Sequence, residues 1–379
     1  MEKIYTALGL MSGTSMDGVD ASIISSIDGI QYDEKFNRYY EYDKVLYEKL
    51  TSLRDKIFTS KDLEKLSKEV KSLEKDITLF HAKVVNDVNN SVKKSKISRP
   101  EIIGFHGQTL FHNPDEKISV QLGDGKLLSQ LAKKTVIYDF RQNDLKNGGQ
   151  GAPLTPIFHK IISKNIKIDF PFCILNLGGI ANITAIESDE NSTLVSCDIG
   201  PGNCLIDEWI RKKTRKKYDK DGAIAKIGKK NIVILNQALD NHENLRKKNI
   251  LSYDAKDFDL NFVRGLSLED GVATITEFTG SVLGEAILDF LNKLDDKTRT
   301  ILVSGGGRKN LTLVESIKKN LLEKHTIENI DNYGLDGDFI ESQAFAYLAI
   351  RSCLKLPISF PKTTGCKEPS TGGVLVQNF

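Results

Sequence analysis

The sequence predicts a two-lobed α/β protein, and three observations carry that prediction. The chain has 379 residues, more than a single hydrophobic core usually serves. Short apolar runs that read as strands alternate with longer segments of helical spacing. A strand, glycine loop, strand pattern occurs twice, once around Gly9 to Asp20 and again around Leu177 to Thr184. The period is about half the chain, so the repetition reads as two lobes, each opened by a glycine hairpin, and not as a solenoid.

Composition narrows the function classes. The chain is 40% hydrophobic and 27% charged, as expected of a soluble globular protein. Lys and Arg number 53 against 51 Asp and Glu, and a net charge of +2 argues against an electrostatic nucleic-acid binder. Met1-Glu2-Lys3 leads straight into a strand-like run, so no signal peptide is expected, and no apolar stretch approaches a membrane span. Five scattered cysteines without Cys-x-x-Cys spacing suggest reduced thiols in a cytoplasmic protein.

In chain order, Ile4 to Leu8 and Val19 to Ile24 flank the first glycine loop as strands, and Tyr39 to Tyr47 reads as a third strand or a connector. Residues 45 to 95 carry two helical apolar stripes, with Thr59 or Ser60 placed to cap the second. Ile102 to Thr109 reads as a short buried strand ending in a polar loop. A helix spans about Lys126 to Lys134, and the strand Thr135 to Phe140 ends at Asp139 and Arg141. Asn147 to Pro153 is a glycine loop, after which the prolines start a helix. Pro171 to Asn176 and Thr193 to Cys197 are strands, and a helix follows from Cys204 to about Arg211. Asn231 to Leu251 is a polar helical segment. Ser267 and Asp270 form a capping box before a long helix to Leu294. Thr300 to Val303 is a strand turned by Gly305 to Gly307, and Ser342 to Leu354 is an alanine-rich helix. The lobe boundaries are set at 1–155 plus about 357–379, and 156–356.

Three glycine loops therefore stand at strand ends. Gly13, Thr14, Ser15, Met16, Asp17, Gly18, Val19 and Asp20 form the first, where successive N–H groups and hydroxyls can cradle phosphate. No Lys follows as a Walker motif demands. Gly178 and Gly179 with Gly200, and Gly305 with Gly306, form the others. In open α/β sheets ligands bind beyond strand ends, so the loops together describe a nucleotide in a cleft. Asp198 precedes one loop and is the candidate general base for phosphoryl transfer, its alternative being a helix cap. His106 and Arg141 are candidates for polar ligand contacts, against a packed histidine and a structural ion pair. Arg308 and Lys309 either touch nucleotide or solvate a helix start. Cys197 and Cys204 read as packing residues.

Six strings taken in order resemble one family: Met11-Ser-Gly-Thr-Ser-Met-Asp-Gly-Val-Asp20, Gly104-Phe-His-Gly-Gln-Thr109, Asp139-Phe-Arg141 with Gly148-Gly-Gln-Gly-Ala-Pro153, Asn176-Leu-Gly-Gly-Ile-Ala-Asn-Ile-Thr184, Asp198-Ile-Gly-Pro-Gly-Asn203 and Ser304-Gly-Gly-Gly307. They are similar to anhydro-N-acetylmuramic acid kinases, from the first strand to the tail. The resemblance implies an actin/hexokinase/Hsp70-like fold of two RNase H-like lobes, and because water must reach the sugar yet be kept from ATP, the lobes are expected to close on substrate. It implies ATP and Mg²⁺ as cosubstrate and ion. The reaction implied is conversion of 1,6-anhydro-N-acetylmuramic acid and water to N-acetylmuramic acid 6-phosphate, in peptidoglycan recycling. It implies a homodimer, to which composition adds the expectations of a cytoplasmic protein with no nucleic-acid or membrane partner. The resemblance places ATP phosphates on Gly13 to Asp20, makes Asp198 the base, and gives Glu341 a contact to substrate or its attacking water, with Asp336 and Asp338 standing near; His106, Gln108, Asp139 and Arg141 are the further candidates for substrate contacts. The departures are Cys366, where the family usually has Ala, and the lysine-rich helices of 45 to 95. The alternatives are another sugar kinase or phosphohydrolase of the same fold, and an ATP-gated interaction module.

Overall fold

Strand β1 (Ile4–Ser12) is buried on both faces over its last seven residues, the signature of a central strand. The computed structural model describes residues 3–246, 253, 257–295 and 297–379. It divides into two compact units, Met1–Ile166 with Phe339–Phe379, and Lys167–Asp338.

In the first unit β1 runs antiparallel to β2 (Gly18–Ile27), which runs antiparallel to β3 (Gln31–Glu41). On its other side β1 pairs in parallel with β4 (Ile102–Asn113). The antiparallel strand β5 (Ile118–Leu122) and the parallel strand β6 (Thr135–Tyr138) both pair with β4. Parallel neighbours need a long crossover. Helices Lys44–Arg54, Ser60–Lys65 and Ser67–Val92 supply it between β3 and β4. Leu8 and Leu10 face that helical layer, in one core with Val84, Val85 and Val88. Gly9 alternates to the opposite face, where the helix Ile340–Cys353 lies. A Cβ on Gly9 would stand 1.9 Å from the Ser342 carbonyl oxygen, and one on Gly104 would stand 2.2 Å from that of Phe345.

The second unit repeats the plan. β7 (Phe172–Leu177), β8 (Ile180–Ile186) and β9 (Leu194–Pro201) form an antiparallel meander. β10 (Thr300–Ser304) runs parallel to β7, and β11 (Thr326–Asn329) runs parallel to β10. The order β11-β10-β7-β8-β9 matches β6-β4-β1-β2-β3 of the first sheet. The buried helix Leu268–Asn292 anchors its core with Val272, Ile275, Leu283 and Ile287. β12 (Val374–Val376) returns the chain to the first sheet beside β6.

The structure corrects several sequence expectations. The third strand spans residues 31–41 and not 39–47, because Asp43 caps a helix there by accepting from the Leu46 amide. The units divide at 166/167 and 338/339, not near 155 and 357. Small residues of the helix Ile340–Cys353 bind it to the first sheet through Gly9 and Gly104. β9 runs on to Pro201, so Asp198 lies within a strand. The helix expected over 231–251 is described from Ile232 to Arg246, and its expected end lies outside the described residues.

Candidate functional site

The turn between β1 and β2 is short because Met16 takes a left-handed backbone, φ 57°, and its amide closes onto the Gly13 carbonyl at 3.1 Å. Thr14 and Ser15 are left exposed at its tip, whereas the Met16 and Val19 side chains belong to the core. Of the eight residues expected to bind nucleotide here, those two therefore have only backbone to offer. The turn is fastened from below. Gln108 Nε2 donates to the Gly13 carbonyl at 2.9 Å, and the Asp17 carbonyl accepts from the Tyr42 amide and the Tyr39 hydroxyl, both at 2.9 Å. Ser15 Oγ donates to the Asp17 carboxylate, and Asp20 pairs across the hairpin with Met11. Gln108 is fully buried, and its Oε1 has no partner among the described residues.

Behind the turn lies a neutral buried relay. His81 Nδ1 donates to the Ile77 carbonyl at 2.8 Å, so its Nε2 accepts from Ser12 Oγ at 3.3 Å. Ser12 in turn meets the Tyr42 hydroxyl at 2.9 Å. Burial pulls the His81 pKa down to about 4, which keeps the ring uncharged.

His106 and Arg141 come together. Arg141 Nη2 donates to His106 Nε2 at 2.9 Å and Nη1 donates to the Gly151 carbonyl at 2.7 Å. His106 Nδ1 donates to the Gly107 carbonyl at 2.8 Å. Burial first, and then the guanidinium charge, hold His106 well below its ordinary pKa. Asp144, which nothing in the sequence singled out, organises the glycine loop. Its buried carboxylate accepts from the Gly151 amide and the Thr364 hydroxyl, both at 2.7 Å. Asp139 caps the end of β6 in left-handed backbone, φ 56°, with burial raising its pKa. Glu341 stands in the first turn of the helix Ile340–Cys353, next to Ser342, whose hydroxyl meets that of Ser22 at 2.6 Å.

In the second unit three glycine segments are stitched into one platform. The Gly178 carbonyl accepts from the Asn203 amide at 2.8 Å, and the Gly179 carbonyl accepts from the Gly202 amide at 2.9 Å. Asn203 Nδ2 adds a bond to the Leu177 carbonyl at 3.1 Å. A Cβ on Gly202 would lie 2.2 Å from the Gly178 carbonyl oxygen, so only glycine permits this approach. Gly305, at φ 77°, packs as closely against Asn176. Gly306 faces open space, with nothing within 4 Å of a Cβ built there. Beneath it the buried Ser304 hydroxyl has no partner among the described residues.

Asp198 sits opposite Asn182 in the β8–β9 ladder, next to an irregularity in register and two residues before Gly200, whose φ is 145°. Its Oδ2 accepts from the Tyr253 amide at 3.0 Å. The following helix, Cys204–Lys213, begins after Asn203, so the alternative of Asp198 as its cap is set aside. Arg308 resolves toward structure. It is buried, its Nε donates to both oxygens of Asp331 at 3.0 Å, and it also engages Asp338 and the Gly305 carbonyl. Asp336 and Asp338 thus serve Arg308, with Asp336 3.6 Å from Nη2.

Each unit so carries an RNase H-like sheet with a glycine turn at its first hairpin, and the duplicated pair defines the actin/hexokinase/Hsp70-like class. The profile of the anhydro-N-acetylmuramic acid kinase family matches residues 5–378. The anhydro-N-acetylmuramic acid kinase of Pelagibacter ubique is 56% identical over the full length of both chains. Those of Zymomonas mobilis and Rhodospirillum rubrum are each 38% identical, over 97% of this chain and 98% and 93% of theirs. The chain belongs to the anhydro-N-acetylmuramic acid kinase family and is an enzyme of that kind. Solved structures align more loosely. The Clostridium difficile activator of 2-hydroxyisocaproyl-CoA dehydratase with bound ADPNP has a TM-score of 0.44 and 10% identity, covering 92% of this chain and 96% of that one. Schistosoma mansoni hexokinase with glucose has a TM-score of 0.42 and 8% identity, covering 91% and 85%. Likeness at that level carries no argument about this chain.

Proposed function

We propose that the enzyme opens 1,6-anhydro-N-acetylmuramic acid with water and phosphorylates O6, giving N-acetylmuramic acid 6-phosphate for peptidoglycan recycling in the cytoplasm, as a homodimer. The observation that carries the proposal is Asp198, a strand carboxylate beside the stitched glycine platform of the second unit. ATP supplies the phosphoryl group and Mg²⁺ screens its phosphates when bound. The open Gly306 and the unpartnered Ser304 and Gln108 oxygens are chemistry that suits a polar ligand. Among the described residues no group of three His, Cys, Asp or Glu side chains could hold a metal, and Mg²⁺ is ordinarily held by one or two carboxylates together with the nucleotide phosphates. Among them no helix is long and apolar enough to cross a membrane.

In the proposed reaction Asp198 takes a proton from water as its oxygen bonds to the anomeric carbon. The C1–O6 bond breaks, and O6 leaves with its electron pair and bonds to the γ-phosphorus of ATP as the bond from that phosphorus to the bridging oxygen breaks and ADP departs. One atom is both leaving group and acceptor, so no separate general acid is needed, unlike a two-carboxylate glycosidase. The backbone and exposed hydroxyls of Gly13 to Asp20 hold phosphate. Gly178, Gly179, Gly200, Gly305 and Gly306 present backbone to the nucleotide. His106, Gln108, Asp139, Arg141 and Glu341 are assigned to the sugar. Reaction in ¹⁸O-water tests this by mass spectrometry: label at the anomeric hydroxyl and phosphate on O6 support it. ATP loss without sugar phosphate sinks it.

A further inference from the structure

Between Arg211 and Lys230 the chain carries ten basic and two acidic side chains, although the whole chain is only +2. The remainder is therefore net acidic, and this one stretch of the second unit is a concentrated cationic surface. Asp219, one of its two acids, is buried and spent on the Ile224 and Ala225 amides at 2.9 Å. Lys212 pairs with Glu208 and Lys230 with Glu277. Arg215, Lys216, Lys220, Lys226 and Lys229 make no ion pair among the described residues.

The fold gathers this stretch around the first turn of the helix Leu268–Asn292. Trp209 Nε1 donates to the Leu268 carbonyl at 3.0 Å, and Gly228 lies against the Glu269 carbonyl. Lys213 stands 4.6 Å over the Trp209 ring. A pocket of about 280 Å³ opens beside them, its cations Lys212, Lys213 and Arg264 set among Phe258, Glu208 and Asp259. Large apolar side chains project from the same stretch and its sequel: Tyr218 is 54% exposed, Ile227 73% and Val233 78%.

Cations interspersed with exposed aliphatic side chains are the chemistry of an interfacial surface, where charge meets anionic headgroups and apolar groups enter the acyl boundary. Eight of the ten cations are lysines, point charges without the fork that reads bases, and the exposed apolar groups are mainly aliphatic, unsuited to base stacking. We propose that this surface docks the enzyme on an anionic phospholipid bilayer, the pocket at Trp209 receiving a phosphodiester headgroup.

Flotation of the full chain with unilamellar vesicles tests the proposal, using phosphatidylglycerol mixed equally with phosphatidylcholine against phosphatidylcholine alone. Each cation near an anionic bilayer gives roughly a fivefold gain in partition. Binding to the anionic vesicles alone, weakened as salt rises through the Debye regime, is expected. Lys212→Glu with Lys213→Glu and Arg264→Glu should lower partition about a hundredfold or more, with an unchanged far-UV circular dichroism spectrum and thermal midpoint as the check on folding, since Lys213 lies over the Trp209 ring and its loss alters emission directly. Ile227→Ser with Val233→Ser should lower it several-fold and leave the salt dependence as it was. Equal binding to neutral vesicles, no binding to either, or an unaffected triple variant would overturn the proposal. So would an RNA oligonucleotide held more tightly than vesicles at equal phosphate concentration.

Discussion

A carboxylate is useful as a base only if its surroundings leave it ionised and aimed. Asp198 satisfies the second condition through the strand that carries it and the Tyr253 amide that it accepts from. Replacing it with Asn keeps size and hydrogen bonding but removes the lone pair that takes a proton. Asp198→Asn should therefore retain nucleotide binding, measured by calorimetry, while kcat falls by about 10²–10⁴. A near-normal rate would reduce Asp198 to a structural residue. Gln108 gives a different test. Its amide is a second donor to the Gly13 carbonyl, which also accepts from the Met16 amide, so Gln108→Leu removes one of two hydrogen bonds there and should cost about 0.5–1.5 kcal/mol in urea unfolding. The same change loosens the 13–18 turn, and KM for ATP should rise more than kcat falls.

Whole elements are positioned by what glycine leaves out. Gly9 admits the Ile340–Cys353 helix to the sheet so closely that a Cβ would meet both the Ser342 carbonyl and the Ala346 amide, which is backbone and cannot yield like a flexible side chain. Gly9→Ala should cost about 3 kcal/mol or more, as overpacking does at its severe end, and lower the thermal midpoint by several degrees. Gly306→Ala meets nothing within 4 Å and should leave that midpoint unmoved while raising KM for ATP. A midpoint drop in Gly306→Ala would show the loop to be packed and not open. The contrast also marks how far the sequence could be read. Glycine strings at strand ends were visible, and so were the repeat and the Ser267 cap, which accepts from the Asp270 amide. The partners of those loops were not. That Asn203 staples Gly178, that Asp144 holds Gly151 and that Arg308 is bound by Asp331 depends on residues 25, 7 and 23 positions apart meeting in space. No periodicity encodes such pairings. The strand over residues 31–41 was missed for a related reason: as an edge strand it is largely exposed, and its polar sequence lacks the alternation that marks a half-buried one.

At the scale of the molecule, the histidines are unevenly shared. His81, His106 and His159 are fully buried in the first unit, and burial lowers all three, His81 to about 4 and His159 to about 3. His112, also in that unit, is lowered to about 4. A histidine kept neutral in the fold favours the folded state above its unfolded pKa near 6.5. Below that pH the unfolded chain gains a proton that the native one refuses, and stability drains until the native pKa is reached. The window therefore opens at pH 6.5 and runs down to about 4 for His81 and His112 and to about 3 for His159. At pH 5.5 each fully buried ring forfeits about 1.4 kcal/mol, and the three together about 4 kcal/mol, a large share of an ordinary domain's stability. The second unit holds two histidines, His242 and His325, both buried, against four in the first, and its lowered carboxylates Asp295 and Asp338 titrate below pH 5.5. Its Trp209 is the only tryptophan of the chain, so emission reports that unit alone. Hydrogen exchange of the β4 amides reports the first. Between pH 7.5 and 5.5 the urea concentration at which β4 loses protection should fall by more than the Trp209 midpoint does. Equal shifts of the two probes would mean that the buried histidines do not govern acid sensitivity, and that the units answer to acid as one.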